Sequence, residues 1–120
     1  MKRILVVDDD SAMRFVLRRF LEREGYSIDE AKDGMEAIAL ARKTRYALVI
    51  TDLIMPEKTG FEVIQELLEI HPGSNIIAFS GGGVLGSSTC LDIARRDGAV
   101  MTFSKPFDMS EFVSAVKELI

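Results

Sequence analysis

The stretch Ile4-Leu5-Val6-Val7-Asp8-Asp9-Asp10 places a continuous apolar run directly before three acids. An apolar run without alternation is typical of a strand that is buried on both faces, as in parallel sheets covered by helices. Residues 47–50 and 76–79 repeat the pattern, and residues 26–31 and 99–103 are weaker candidates. The sequence therefore predicts five strands, most of them buried.

Amphipathic stretches with helix start and stop signals lie between these runs. After the first run, apolar residues recur at helical spacing, at Met13, Val16, Leu17 and Phe20. Three further helices are predicted to start at residue pairs with capping-box spacing, which are Asp33 with Glu36, Thr59 with Glu62, and Asp108 with Glu111. We place the remaining helix at residues 87–96, after a glycine-rich segment that disfavours helix.

The alternation of strands and helices determines the predicted fold class. Five strand–helix pairs in sequence imply parallel strands joined by right-handed crossovers, which form an open sheet with helices on both faces. A closed barrel would need about 250 residues, whereas this chain has 120. We therefore predict an α/β fold, a doubly wound (βα)5 three-layer sandwich, in a single domain over residues 1–120. Open α/β sheets bind ligands beyond the C-terminal ends of their strands.

The composition excludes several classes of function. The formal net charge is −4 and the sequence pI is about 5.0, and no Lys/Arg-rich block is present, so we expect no direct nucleic-acid binding. The single Cys90 allows no internal disulfide and fits a reducing compartment. No apolar stretch approaches the roughly 20 residues of a membrane span. We expect a soluble cytoplasmic protein that does not bind a membrane.

Polar side chains follow four of the predicted strands. Asp8 and Asp9 follow the first strand, Asp52 the third, Ser80 the fourth, and Lys105 the fifth. Carboxylates that lie a few ångströms apart repel each other unless a cation neutralises them. Ligands that are all oxygen and carry high negative charge suit Mg²⁺, which also binds substrate phosphate oxygens. The strand ends therefore indicate a site for a divalent cation together with a phosphoryl group.

These residues resemble the receiver domain of two-component response regulators, including the chemotaxis-type single-domain receivers. The matching features, in order along essentially the whole chain, are the acid pair Asp8-Asp9, the segment Asp52-Leu53-Ile54-Met55-Pro56 with Gly60 beyond it, Ser80, and Lys105-Pro106-Phe107. The resemblance implies a flavodoxin-like parallel sheet of five strands in the order 2-1-3-4-5. It also implies a phosphorelay signalling module and not an enzyme that turns over an external substrate.

The resemblance assigns roles at the acidic end of the sheet. Asp52 would accept a phosphoryl group from a phosphohistidine of a sensor histidine kinase or histidine phosphotransfer protein. Asp9 and Asp52 would bind Mg²⁺ directly and Asp8 through water, and the main-chain carbonyl of Ile54 would supply another oxygen. The domain would thus promote its own phosphorylation and dephosphorylation at Asp52.

The resemblance also implies how the signal is passed on. Lys105 would pair with Asp52 before phosphorylation and with a phosphoryl oxygen afterwards, and Ser80 would move its hydroxyl to the phosphoryl group. We expect a cis bond before Pro106 to aim Lys105 inward. The downstream protein target would bind the face formed by helix 4, strand 5 and helix 5, and phosphorylation could drive dimerisation.

Two positions depart from the family pattern. Thr102 stands where receivers commonly carry an aromatic residue that swings inward on activation. We therefore expect the signal to pass instead through the loop after Ser80, whose Gly81–Gly83 and Gly86 would be ordered by phosphorylation. Ile54 is apolar at a position that tunes the access of water to the phosphorylated carboxylate, which predicts a slowly hydrolysed phosphoryl group.

Two other classes of function share elements of this pattern. A Mg²⁺-dependent phosphatase of the haloacid dehalogenase type would use Asp8 as its nucleophile, although such enzymes usually have a cap and a longer core. A flavodoxin-like FMN-binding protein would need a phosphate-binding loop after the first strand. The three acids at that place would repel the phosphate group of FMN.

Overall fold

The computed structural model describes residues 2–81 and 87–120. The strands are β1 (Arg3–Val7), β2 (Ser27–Ala31), β3 (Leu48–Asp52), β4 (Ile76–Ser80) and β5 (Met101–Ser104). The helices are α1 (Ser11–Arg23), α2 (Gly34–Lys43), α3 (Gly60–Ile70), α4 (Ser87–Asp97) and α5 (Met109–Leu119). Within the described part of the chain, no helix has the length and apolar character needed to cross a membrane.

The strands form a parallel sheet in the order β2-β1-β3-β4-β5, which confirms the predicted topology. One face of the sheet packs against α1 and α5 through a core that includes Leu17 and Phe112. The other face packs against α2, α3 and α4 through a core that includes Ile38, Ile64 and Ala94. The predicted three-layer sandwich is therefore confirmed.

Burial along the strands explains why some were easier to recognise than others. Every residue of β3 and β4 is buried, because both strands are central in the sheet and covered on both faces. The edge strands β2 and β5 keep half-buried positions. An apolar run without alternation is expected only where both faces are covered, and the two edge strands accordingly carried the weakest signals.

The three helix starts predicted from capping-box spacing are confirmed by capping hydrogen bonds, and α1 is capped in a similar way. Asp10, Asp33 and Asp108 each accept a hydrogen bond from a backbone N–H of the helix that follows. Thr59 and Glu62 form a complete capping box at the start of α3. A cap of this kind satisfies an N–H group that has no partner within the helix, which typically contributes about 1 kcal/mol.

The apolar stripe of α1 differs from its prediction at Val16 and at Leu21. Val16 is 38% exposed, whereas Leu17 and Leu21 are fully buried. Residues four apart lie above one another on a helix, so Leu17 and Leu21 form the face that packs on the sheet. Helix α4 is one residue longer than predicted. The predicted ordering of Gly81–Gly83 and Gly86 by phosphorylation falls, except for Gly81, on residues that lie outside the described part of the chain.

Gly60 ties the start of α3 to the end of β3. Its N–H donates to the carbonyl of Leu53 at 2.9 Å. A Cβ atom at residue 60 would lie 2.1 Å from the carbonyl oxygen of Asp52 and 2.6 Å from Cα of Leu53. Both neighbours are backbone atoms, so a larger side chain would displace the segment that carries Asp52.

We expect Gly60→Ala to lower the free energy of unfolding by about 1–3 kcal/mol, because overpacking forces backbone shifts. Gly81→Ala is the matched control, since the nearest atom to its added Cβ is Lys105 Cδ at 3.6 Å, an ordinary contact distance. Urea denaturation measures both changes. A Gly60 variant as stable as the Gly81 variant would contradict the steric argument.

Candidate functional site

The candidate site lies at the C-terminal end of the sheet, where four neighbouring strands finish. Asp8 follows β1, Asp52 ends β3, Ser80 ends β4, and Lys105 follows β5. Pairing within the parallel sheet places these ends side by side, with Asp52 opposite Phe79 of β4. The residues that the sequence predicted for the site therefore meet at one edge.

Three carboxylates converge at this edge. Asp8, Asp9 and Asp52 each offer an oxygen, and these oxygens all lie within 4.8 Å of one another. Asp8 is fully buried and Asp52 is 7% exposed, whereas Asp9 is exposed to solvent. A set of carboxylate oxygens with partial access to water fits a hard divalent cation, and the predicted clustering of the acids is confirmed.

Lys105 bridges two of the three acids. Its Nζ lies 3.3 Å from Oδ2 of Asp8 and 3.3 Å from Oδ2 of Asp52. Partial burial by itself lowers the pKa of Lys105, but attraction by Asp52 and Asp8 outweighs it and raises the pKa above its ordinary value. The lysine thus stays protonated, and the Lys105–Pro106 bond is cis, as predicted.

Both the backbone carbonyl and the side chain of Asp8 accept hydrogen bonds. Its Oδ1 accepts the N–H of Asp10 at 2.9 Å, and its carbonyl oxygen accepts a hydrogen bond from Nη1 of Arg14 at 2.6 Å. Burial raises the pKa of Asp8 to about 6; the charge of Asp52 raises it as well, against the lowering effects of the Asp10 N–H and of Lys105. Holding this carboxyl ionised is therefore costly without a further cation.

Asp52 has each of its two oxygens held by a different group. Oδ1 accepts the N–H of Ile54 at 3.3 Å, and Oδ2 faces Lys105. The Ile54 side chain is 50% exposed at the border of the site. The suggested role of the Ile54 carbonyl as a metal ligand stays a prediction.

Ser80 is fully buried at the end of β4. Its carbonyl accepts the N–H of Lys105 at 2.8 Å, which fixes the lysine backbone beside β4. Thr102, the departure in β5, is half-buried, and its Oγ1 accepts a hydrogen bond from Nη2 of Arg95 in α4 at 3.0 Å. Thr102, which stands where receivers commonly carry an aromatic residue, therefore joins β5 to α4 through a polar contact.

Two contacts at the site had no sequence signal. Arg14 joins Asp8 to Glu30 of β2, whose Oε1 it reaches at 3.0 Å. The ring of Phe79 lies beneath the ammonium of Lys105. Neither residue belongs to a spaced motif, because each contact joins elements that become neighbours only when the sheet forms.

Comparisons with known proteins agree with this geometry. The family model described as the response regulator receiver domain matches residues 4–117. The transcriptional regulatory protein ResD of Bacillus subtilis is 39% identical over 118 residues, which are 98% of this chain and 48% of ResD. The response regulator receiver protein CpdR of Brucella abortus is 32% identical over 120 residues, which are 100% of this chain and 98% of CpdR. The chain thus spans about half the length of ResD and nearly all of CpdR.

Solved structures give the same result. The chemotaxis protein CheY4 of Vibrio cholerae superposes with a TM-score of 0.89 at 27% identity, covering 100% of this chain and 99% of CheY4. The beryllofluoride-activated NtrC4 receiver domain dimer superposes with a TM-score of 0.89 at 33% identity, covering 99% of this chain and 96% of that one. With a matching family model, matching relatives and this arrangement of acids and lysine, the chain belongs to the response regulator receiver domain family of two-component signalling.

Proposed function

We propose that Asp52 accepts a phosphoryl group from a phosphohistidine of a sensor histidine kinase or histidine phosphotransfer protein. A bond forms between a carboxylate oxygen of Asp52 and phosphorus, and the bond between phosphorus and the imidazole nitrogen breaks. The observation that carries the proposal is the placement of Lys105 between Asp52 and Asp8, at the strand ends where the three acids meet.

The contacts of Asp52 suit it to this role. The Ile54 N–H holds one oxygen and Lys105 holds the other, so the carboxylate is oriented before a donor arrives, and orientation lowers the barrier of a transfer reaction. After transfer, the ammonium of Lys105 would pair with a phosphoryl oxygen. The buried Ser80 on the neighbouring strand end would supply the hydroxyl that reports the transfer.

We assign Mg²⁺ to the acidic cluster, held by Asp9 and Asp52 directly, by Asp8 through water, and by the main-chain carbonyl of Ile54. Bound Mg²⁺ would offset the repulsion between the anionic acceptor and the anionic phosphoryl group. The raised pKa of Asp8 supports this assignment, because a site that disfavours its own ionised carboxyls gains most from a cation.

The phosphorylated domain would act by altering protein binding, in keeping with a family of signalling modules and not of substrate-turnover enzymes. We propose the face formed by α4, β5 and α5 as the surface for the downstream target. The NtrC4 receiver was solved as an activated dimer, which supports phosphorylation-dependent dimerisation as a second output. We further propose a cytoplasmic location, which is typical of response regulators.

A longer relative of this chain raises the question of nucleic-acid binding. ResD is named a transcriptional regulatory protein, and this chain spans about half of it. The expectation that residues 1–120 do not themselves bind nucleic acid rests on the acidic net charge and stays a prediction.

Incubation with Mg²⁺ and acetyl phosphate should add one phosphoryl group to the wild-type protein and none to Asp52→Asn. Intact-mass spectrometry measures the product. Asp33→Asn is a matched control, because Asp33 caps α2 away from the acidic cluster and Asn caps equally well. It should be phosphorylated like the wild type.

The same measurement on Asp8→Asn separates the proposal from a phosphatase that uses Asp8 as nucleophile. A receiver whose Asp8 is neutralised still carries the phosphoryl group on Asp52, although it acquires it more slowly. Loss of all covalent phosphate in Asp8→Asn, with retention in Asp52→Asn, would refute the assignment of the acceptor.

Mg²⁺ binding should weaken as the pH falls from 7 to 5. The pKa of Asp8 is about 6, so the proton competes with the cation below that pH and the dissociation constant should rise about tenfold per pH unit lost. Titration calorimetry at several pH values measures this. Asp8→Asn should bind more weakly at pH 7 but show a flatter pH dependence; an unchanged slope would contradict the role of Asp8.

The phosphorylated state should be hydrolysed faster in Ile54→Asn than in the wild type, by several-fold. The apolar Ile54 side chain at the border of the site has no polar group to orient a water molecule, whereas an amide can donate or accept a hydrogen bond. Val100→Asn is the control, because Val100 is similarly exposed, at 48%, but lies before β5. Loss of phosphate after removal of acetyl phosphate is followed by intact mass. A wild type that loses phosphate faster would refute the prediction.

A further inference from the structure

The ammonium of Lys105 lies over the face of an aromatic ring. Its Nζ is 4.7 Å from the centroid of Phe79, within the distance at which a cation is attracted to the negative face of the ring. Phe79 is fully buried in β4 and pairs with Asp52 on one side and Phe103 on the other. Phe79 therefore belongs to the strand that lies between the strand that carries the acceptor and the strand that leads to the lysine.

The ring is held in place by an aromatic cluster, which consists of Phe79, Phe103, Phe107 and Phe112. Phe79 meets Phe107 edge-on at 5.9 Å between centroids. Phe107 and Phe103 each lie 5.2 Å from Phe112 of α5. Such pairs stabilise a defined geometry beyond the area that they bury, so α5 supports the ring on which the lysine lies.

The ring and the carboxylates attract the Lys105 ammonium by different physical means. Attraction between Lys105 and the acids weakens whenever a proton or a metal cation neutralises Asp8 or Asp52. The attraction of the ring comes from its quadrupole and does not depend on the charge state of the acids. The methylene stem of Lys105 also runs beside the backbone of Gly81. A Cβ atom added to Gly81 would lie 3.6 Å from Cδ of Lys105.

We propose that Phe79 is a positioning residue for Lys105: its ring holds the ammonium at the acceptor while the acids change their charge. This inference rests on the proposed role of Lys105 in phosphoryl transfer to Asp52. Phe79 itself does not touch the reacting atoms. It acts through the lysine, with the aromatic cluster as its support.

The first test observes the lysine without any phosphoryl donor. In the wild type, ring current should shift the NMR signals of the Lys105 ε-methylene protons upfield, both with and without Mg²⁺. Replacement of Phe79 by a trifluorinated phenylalanine keeps the ring but weakens its negative face, so the upfield shift should decrease, most clearly with Mg²⁺ present. Wild-type signals at random-coil positions, or shifts that fluorination leaves unchanged, would overturn the proposal.

The second test measures the rate of phosphorylation by acetyl phosphate at saturating Mg²⁺. Phe79→Leu and the fluorinated variant should each react about three- to tenfold more slowly than the wild type, with the dissociation constant of Mg²⁺ little changed. Phe20→Leu is the control, because it removes a half-buried ring of α1 that lies beside Arg23 and outside the aromatic cluster, and it should react like the wild type.

The outcomes distinguish a failure of the proposed function of Asp52 from a failure of the positioning role of Phe79. A wild-type protein that accepts no phosphoryl group would refute the proposed function, while the NMR signals would still decide whether Phe79 holds Lys105. Equal rates for the wild type and the fluorinated variant would overturn the positioning role. Slowing by Phe79→Leu without an effect of fluorination would show that the ring matters only for packing, which would also overturn the positioning role.

Discussion

The repulsion between carboxylates at the end of the sheet is the constraint on which the rest of the site depends. Asp8, Asp9 and Asp52 bring their oxygens within 4.8 Å of one another, and Lys105 supplies an ammonium to two of them. Burial makes the repulsion stronger, because charges in a low-dielectric environment are screened less than in water. Burial is the largest cause of the raised pKa of Asp8, and the charge of Asp52 adds to it; the proposed divalent cation would offset both effects.

Backbone contacts hold these charged groups together, so the acids cannot move apart without breaking those contacts. Gly60 closes the segment after β3 against the carbonyl of Asp52 so tightly that no side chain fits. Arg14 holds the carbonyl of Asp8, and the N–H of Lys105 is bonded to Ser80. The central strands β3 and β4 are buried along their whole length, so the repelling groups are attached to the core of the sheet.

Two features of β4 and β5 connect the site with neighbouring helices. Thr102 replaces the usual aromatic residue and joins Arg95 of α4 through a hydrogen bond. Phe79 lies under Lys105 and belongs to the aromatic cluster that ends on α5. The connections from the site towards α4 and α5 are therefore one polar contact and one aromatic cluster. Both end on helices of the face proposed for the downstream target.

The sequence by itself determined the order of the elements, the parallel sheet, and the acids and lysine at the strand ends. Unbroken apolar runs, helix caps and residues that directly follow strands are all local features, and a local pattern can be read along one chain. It did not determine the exposure of Val16, the contact of Arg14 with Asp8, or the position of Phe79 under Lys105. These depend on helix rotation and on contacts between elements distant in the chain, so only the tertiary structure decided them.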